Sequence, residues 1–227
     1  KGYKGKLIHF VCPQVWAWGS KRIPQIQRDL DLLLSIFPFE KKIFPKKKNF
    51  RMEYVGNPSV EFISSLKYNS NWKSKIGIEE NKKIIGVFPG SRRKEIKSNF
   101  PRMLRTLEKF KKNHNDACFV ISIADQELGE YILSWCKTSS LKLNEDLFFV
   151  DREDTPSLMK DCHTACAKSG TVNLELGLMK KPTVVVYNVS TLNYFLGIYL
   201  FKVKLKFFCI VNIVMNKEGF PELMYKQ

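Results

Sequence analysis

Phe88-Pro89-Gly90-Ser91-Arg92-Arg93-Lys94-Glu95 is the stretch on which the fold turns: the apolar run Ile84 to Phe88 ends in a glycine-serine-arginine turn heading a helix-compatible segment. Such a strand-to-helix turn is suited to a phosphate. Its N–H groups point outward, the helix N-terminus adds partial positive charge, and an arginine can donate a two-pronged fork to phosphoryl oxygens. A solvated basic turn contains the same residue types, so this stretch alone leaves both readings open. A second turn of similar kind follows at Ala165-Cys166-Ala167-Lys168-Ser169-Gly170-Thr171-Val172-Asn173-Leu174-Glu175, with Val172, Leu176 and Met179 at helical spacing. Ser169 or Thr171 can cap that helix while N–H groups stay free for an anion, and Glu175 can accept from two sugar hydroxyls. A plain capping box made of Ser169, Thr171 and Glu175 is the alternative.

Outward from these turns, apolar runs alternate with helical patterns. Strands are expected from Ile84 to Phe88, Ala117 to Ile123, Leu147 to Val150, Thr164 to Ala167 and Thr183 to Tyr187. Helices are expected from Pro101 to His114, Gln126 to Lys137, Thr155 to Asp161 and Val172 to Lys180. This alternation predicts an α/β fold, a Rossmann-like parallel sheet with helices on both faces, and places both turns at the carboxyl ends of strands. Before Ile84, strands are expected from Leu7 to Val11, Leu32 to Ile36 and Met52 to Val55, and a helix from Ile23 to Asp31. The expected organisation is residues 1–66 as the tail of a first domain, 67–82 as a polar linker and 83–227 as a second domain. Lys1-Gly2-Tyr3 runs straight into the first strand without a methionine, so a preceding N-terminal part is expected.

The 227 residues carry a formal charge of +16, which asks for an anionic partner: a nucleotide, a membrane surface or nucleic acid. Runs such as Lys46-Lys47-Lys48 and Lys111-Lys112 read as solvated faces. No string of interleaved aromatic and basic residues suited to base recognition is present, and nucleic acid is not expected as a partner. The six cysteines show no framework spacing and read as free thiols of a reducing compartment. Cys162 and Cys166 lack the second ligand pair of a closed zinc site. Asp29-Leu30-Asp31 has the spacing of a metal-holding carboxylate pair, but its carboxylates read better as solvent-facing beside a buried Leu30. No metal or cofactor is expected, and the three scattered histidines support no hydrolytic triad.

From Leu192 to Val214, apolar residues that include Phe195, Tyr199 and Phe201 interleave with Lys202, Lys204 and Lys206. That pattern is too charged to span a bilayer. It suits an interfacial segment that dips into acyl chains while its ammonium groups meet anionic lipid, or a core element whose lysines snorkel.

With these residues assembled, the chain resembles the lipid-A-disaccharide synthase family, a glycosyltransferase family 19-like group of the glycosyltransferase-B type. The resemblance runs nearly end to end. It is carried by Pro13-Gln14-Val15-Trp16-Ala17-Trp18, Arg22, Pro38-Phe39-Glu40, Val55-Gly56 with Pro58, Pro89-Gly90-Ser91-Arg92 with Glu95, and Ser169-Gly170-Thr171 with Glu175. Pro182 with Val184-Val185-Val186-Tyr187, and Asn212-Ile213 followed by Glu218 and Pro221-Glu222-Leu223, complete it.

The resemblance implies an inverting transfer from UDP-2,3-diacylglucosamine to 2,3-diacylglucosamine 1-phosphate, with release of UDP, in lipid A biosynthesis. It implies that Ser91 and Arg92 meet the diphosphate, that Ser169, Gly170 and Thr171 cap it, that Glu175 holds the ribose and that Asn212 completes the nucleotide pocket. It also implies a peripheral location on the cytoplasmic face of an inner membrane, with acyl or lipid contact by Phe195, Tyr199, Phe201, Lys202, Lys204 and Lys206, and it is compatible with a homodimer. Asn57 stands where the family usually has histidine, and Asn216-Lys217 replaces a Gly-Arg pair. The family's glycine-rich motif and general base belong to an N-terminal part outside this sequence, so nucleotide binding without turnover is expected of these residues alone. A transferase or epimerase acting on another UDP-sugar, and a basic nucleic-acid-binding α/β protein, are the competing readings.

Overall fold

The computed structural model describes residues 4–17, 19–189 and 206–226, which fall into two compact units, residues 4–62 and residues 63–189 with 207–226. The first unit is built on β1 (Ile8–Phe10), α1 (Ile23–Asp29), β2 (Leu32–Ser35) and β3 (Arg51–Tyr54), with the strands parallel in the order β1-β2-β3. Its core gathers Cys12, Val15, Ile23, Leu33, Phe44, Phe50 and Met52. Helix α1 stops at Asp29, two residues before the expected end, because Leu30 is extended and Asp31 accepts from the Leu7 N–H at 2.9 Å and from Lys6. The two family-like strings of this unit meet in a buried knot. Glu40, 1% exposed, accepts from the Trp16 indole at 3.0 Å, the Ser35 hydroxyl at 2.7 Å and the Phe37 N–H at 3.3 Å. Trp16 also packs edge-on against Phe39. A carboxylate at this depth is tolerable only with such a set of donors.

Helix α2 (Pro58–Ser65) precedes the short α3 (Trp72–Lys75). The stretch read as a polar linker is thus anchored to the second unit. Trp72 is fully buried in that unit's core and its indole donates to Asp161 at 2.9 Å, while Asn69 and Lys75 both bond Asp154. An alternation count sees only the polar residues around Trp72 and misses one large ring that finds a pocket.

The second unit continues with β4 (Lys83–Phe88), α4 (Arg93–Lys111), β5 (Ala117–Ser122), α5 (Gln126–Cys136), β6 (Leu147–Val150), α6 (Thr155–Asp161), β7 (Thr164–Lys168), α7 (Val172–Leu178), β8 (Thr183–Val189), α8 (Ile210–Met215) and β9 (Glu222–Lys226). The strands form one parallel sheet in the order β6-β5-β4-β7-β8-β9. Period-2 alternation divides the core cleanly. Ile85, Val87, Ala117, Phe119, Ile121 and Leu147 face the α4 and α5 side, whereas Ile84, Phe88, Cys118, Val120, Phe148 and Val150 face the side of α6 and Trp72. The expected Rossmann-like parallel sheet with helices on both faces is therefore present.

Helix α4 begins eight residues before the expected Pro101 start and carries that proline inside. Proline at the first helical turn is the usual sequence cue. Here the buried stripe Ile96, Phe100, Met103, Leu104 and Leu107 starts before it, and burial of that stripe holds the helix through the missing N–H. Lys168, and Asn188 with Val189, extend their strands past the expected ends, which places Lys168 at the last position of β7.

Candidate functional site

The strand order reverses between β4 and β7, the point where open α/β sheets form their ligand crevice. Both turns singled out from sequence leave the sheet at that point, one after β4 and the other after β7. The pairing of Phe88 with Ala167 sets them side by side. Gly90 has φ +112°, a left-handed value that permits the sharp exit from β4. The α4 N-terminus that follows has Arg92 at its N-cap in extended conformation with no side chain closing it, so its first N–H groups are available to an anion. Ser91 and Arg92 are exposed. Arg92 Nη1 rests 3.3 Å from Glu95 Oε1. Arg93, its neighbour, is turned away: Nη1 bonds Glu127 at 2.9 Å and the guanidinium lies over the Tyr131 ring. Of the two arginines, Arg92 is the one positioned at the turn.

At the second turn the capping expectation is corrected. Thr171 occupies the N-cap of α7 without a side-chain cap bond, and the Ser169 hydroxyl donates instead to the Phe208 carbonyl at 3.2 Å. Asn173 holds the turn's shape: it is fully buried, and its Nδ2 donates to the Lys168 and Gly170 carbonyls at 3.3 and 3.2 Å. In the sequence Asn173 stands out by its position alone. Its signal was the helix-start position, where short amides bond the backbone. Glu175 is half-buried, and burial alone pushes its carboxyl above the ordinary range. A desolvated carboxylate is stabilised by whichever donors reach it, which suits a pair of ligand hydroxyls.

Asn212 lies on α8 and is fully buried, with both ends of its amide committed. Nδ2 donates to the Phe220 carbonyl and to Glu222 Oε1, both at 2.7 Å, and Oδ1 accepts from the Gly219 and Phe220 N–H groups at 2.8 and 2.9 Å. Glu222 in turn accepts from the Phe208 and Cys209 N–H groups. Asn212 therefore shapes the loop between α8 and β9 and presents no open hydrogen-bonding group of its own.

Three features were not legible in the sequence. The Lys168 ammonium bonds Glu95 at 3.0 Å, linking the two turns. Tyr187, two residues before the end of β8, stacks on Phe208, and burial followed by the Glu95 charge pushes its hydroxyl up. A cavity of about 620 Å³ opens beside β5 and β6 at their carboxyl ends, floored by Ile123 and Phe149 and rimmed by Asp125, Gln126, Asp151 and Arg152. All three arise from residues far apart in the chain.

The other sequence candidates lie elsewhere. Asp29 and Asp31 are engaged by Arg28 and Lys6, and among the described residues no group of three or more His, Cys, Asp or Glu side chains could hold a metal. The cysteines are unpaired, and burial pushes the Cys12, Cys136 and Cys166 thiols up to about 12, which keeps them protonated and unreactive. Of the residues expected to meet lipid, Phe195, Tyr199, Phe201, Lys202 and Lys204 lie outside the described residues, and Lys206 is exposed. Among the described residues no helix is long and apolar enough to cross a membrane.

Comparison with known proteins gives a family match described as lipid-A-disaccharide synthetase over residues 1–227. Among curated relatives, the lipid-A-disaccharide synthase of Persephonella marina is 35% identical over 224 residues, covering 98% of this chain and 58% of the relative. That of Chlamydia pneumoniae is 35% identical over 225 residues, covering 98% of this chain and 36% of the relative. The chain thus spans between about a third and three fifths of the length of these relatives. Among solved structures, a UDP co-structure of MnaA from S. aureus superposes with a TM-score of 0.53 at 14% identity, covering 71% of this chain and 43% of the other. A putative UDP-N-acetylglucosamine 2-epimerase from Listeria monocytogenes gives 0.51 at 14% identity, covering 69% and 42%. At that identity the likeness speaks for the fold alone.

Proposed function

Because the chain belongs to the lipid-A-disaccharide synthetase family, we propose that its second unit is the donor side of an inverting glycosyltransferase that joins two acylated glucosamines. The observation that carries this is the placement of the Gly90-Ser91-Arg92 and Ser169-Gly170-Thr171 turns side by side at the switch point of a parallel sheet. In this reading residues 1–66 are the tail of the acceptor-side domain, 67–82 lead across, and 83–227 hold UDP-2,3-diacylglucosamine.

Ser91 and Arg92 then meet the diphosphate together with the α4 N-terminus, and the Ser169 to Thr171 backbone closes over it. Glu175 accepts from the ribose hydroxyls, which relieves its desolvation. Asn212 acts through the loop it shapes. The cavity beside β5 and β6 takes the uracil, whose flat face suits the Ile123 and Phe149 floor. In the transfer, the 6-hydroxyl oxygen of 2,3-diacylglucosamine 1-phosphate bonds to the donor's anomeric carbon as the bond from that carbon to the β-phosphate oxygen breaks. The electron pair leaves on UDP, and the hydroxyl proton passes to a carboxylate base expected from the N-terminal part. What this unit supplies is fixed positive charge for the departing diphosphate.

A synthase assay on the complete gene product with radiolabelled acylated monosaccharides tests this. Formation of a disaccharide 1-phosphate with release of UDP is the expected result. Formation of an epimerised UDP-sugar, or no turnover of either acylated substrate, would overturn it.

A further inference from the structure

Lys168 stands where the two turns meet. It ends β7, its Nζ lies 3.0 Å from Glu95 Oε1, and its side chain is only 17% exposed. Arg92 Nη1 reaches the same Oε1 at 3.3 Å from a side chain that is 81% exposed. Two cations therefore share one carboxylate oxygen, one seated deep and one reaching in from solvent. The carboxylate is itself wedged in place. A Cβ on Gly90 would stand 2.9 Å from Glu95 Oε2, and its φ of +112° is one that L side chains rarely adopt, so the carboxylate packs against bare glycine backbone. Glu95 also lies in the first turn of α4, where the helix dipole favours negative charge.

A lysine this little exposed needs a counter-ion, and Glu95 at 3.0 Å supplies it. A diphosphate arriving between the turns carries more charge and more acceptor oxygens than one carboxylate. We propose that Glu95 is a placeholder anion, holding Lys168 across the crevice until the donor's diphosphate displaces it, and that Lys168 then becomes the ammonium that neutralises the β-phosphate oxygen on departure. Asn173 contributes by fixing the Lys168 carbonyl, and with it the direction in which the side chain leaves the strand. This assignment rests on the nucleotide-sugar reading.

The test is calorimetric titration of UDP and of uridine into the complete gene product, as wild type and as Lys168→Gln, Lys168→Arg and Glu95→Gln, with kcat measured in parallel. Lys168→Gln is expected to weaken UDP at least ~10-fold, the scale of a lost charge-assisted hydrogen bond, while uridine changes less than about twofold. Its kcat should fall about 10²-fold, and Lys168→Arg should recover most of the UDP affinity. Glu95→Gln removes a carboxylate that both competes for Lys168 and repels the ligand, so it should tighten UDP about threefold and leave uridine unchanged. Unchanged UDP affinity in Lys168→Gln, or equal loss of UDP and uridine, overturns the Lys168 role. Weaker UDP binding by Glu95→Gln with uridine intact overturns the placeholder, and this variant carries the test if Lys168→Gln fails to fold. Wild-type protein that binds no UDP removes the nucleotide reading and the Lys168 role with it, which separates that failure from the others.

Discussion

Arg92 and Arg93 are adjacent and chemically identical, yet the structure gives them different work. Arg93 is spent on Glu127 and the Tyr131 ring, whereas Arg92 stays at the turn with a solvent-accessible fork. Arg92→Ala in the complete protein should lower turnover by at least ~10²-fold, the scale of losing a preorganised charge donor. Arg93→Ala should leave it within about threefold, and steady-state rates on both variants check the contrast. Glu175 offers a pH-dependent test. Burial raises its carboxyl pKa, so the folded state disfavours the charged form. The resulting stabilisation is fully present below the ordinary carboxyl value of about 4.3 and is lost as pH rises through the raised one. Glu175→Gln should therefore raise the melting temperature by about 2 °C at pH 7.5, and the gain should vanish below pH ~4. The same change should weaken UDP, a trade of affinity for stability seen at built binding sites. A variant no more stable at pH 7.5 than wild type would contradict this account of Glu175.

At the scale of elements, the loop from α8 to β9 depends on one amide. Removing it in Asn212→Ala strands two N–H groups, a carbonyl and part of the Glu222 carboxylate, of which the Phe220 groups are buried and the Glu222 carboxylate half-buried. The expected cost is roughly 3 kcal/mol, read as an earlier denaturant midpoint with unchanged slope. If Asn212 acted by touching the nucleotide, UDP affinity would fall with no loss of stability, so the two measurements together decide between the roles. Helix α4 shows why element boundaries elude a local reading. Pro101 argues against a helix that runs through it, yet the stripe from Ile96 to Leu107 buries against β4 and β5 and outweighs the proline. The length gained brings Glu95 and the helix N-terminus to the site.

At the scale of the molecule, the +16 charge is larger than one nucleotide site requires. The proposed location on an anionic membrane face predicts cosedimentation with vesicles containing phosphatidylglycerol at low ionic strength. Release should follow by about 0.5 M salt, where the screening length falls to a few ångströms, and neutral phosphatidylcholine vesicles should retain no protein. Retention on both vesicle types, or on neither, would argue against that location. Much of the second unit is legible in the chain, since the runs Ile84 to Phe88, Ala117 to Ile121 and Leu147 to Val150 are apolar at every position. A parallel sheet covered on both faces imposes that pattern locally. The turn chemistry at Gly90 and at Ser169 to Thr171 is local too, because glycine, serine and basic residues act through their own backbone and immediate neighbours. What only the tertiary structure decided is which distant groups share one crevice. Strand order set the two turns side by side and placed Lys168 on Glu95 across 73 positions. These outcomes follow from β4 lying against β7 in the sheet, and a pairing between strands so far apart in the chain leaves no mark on the local sequence of either.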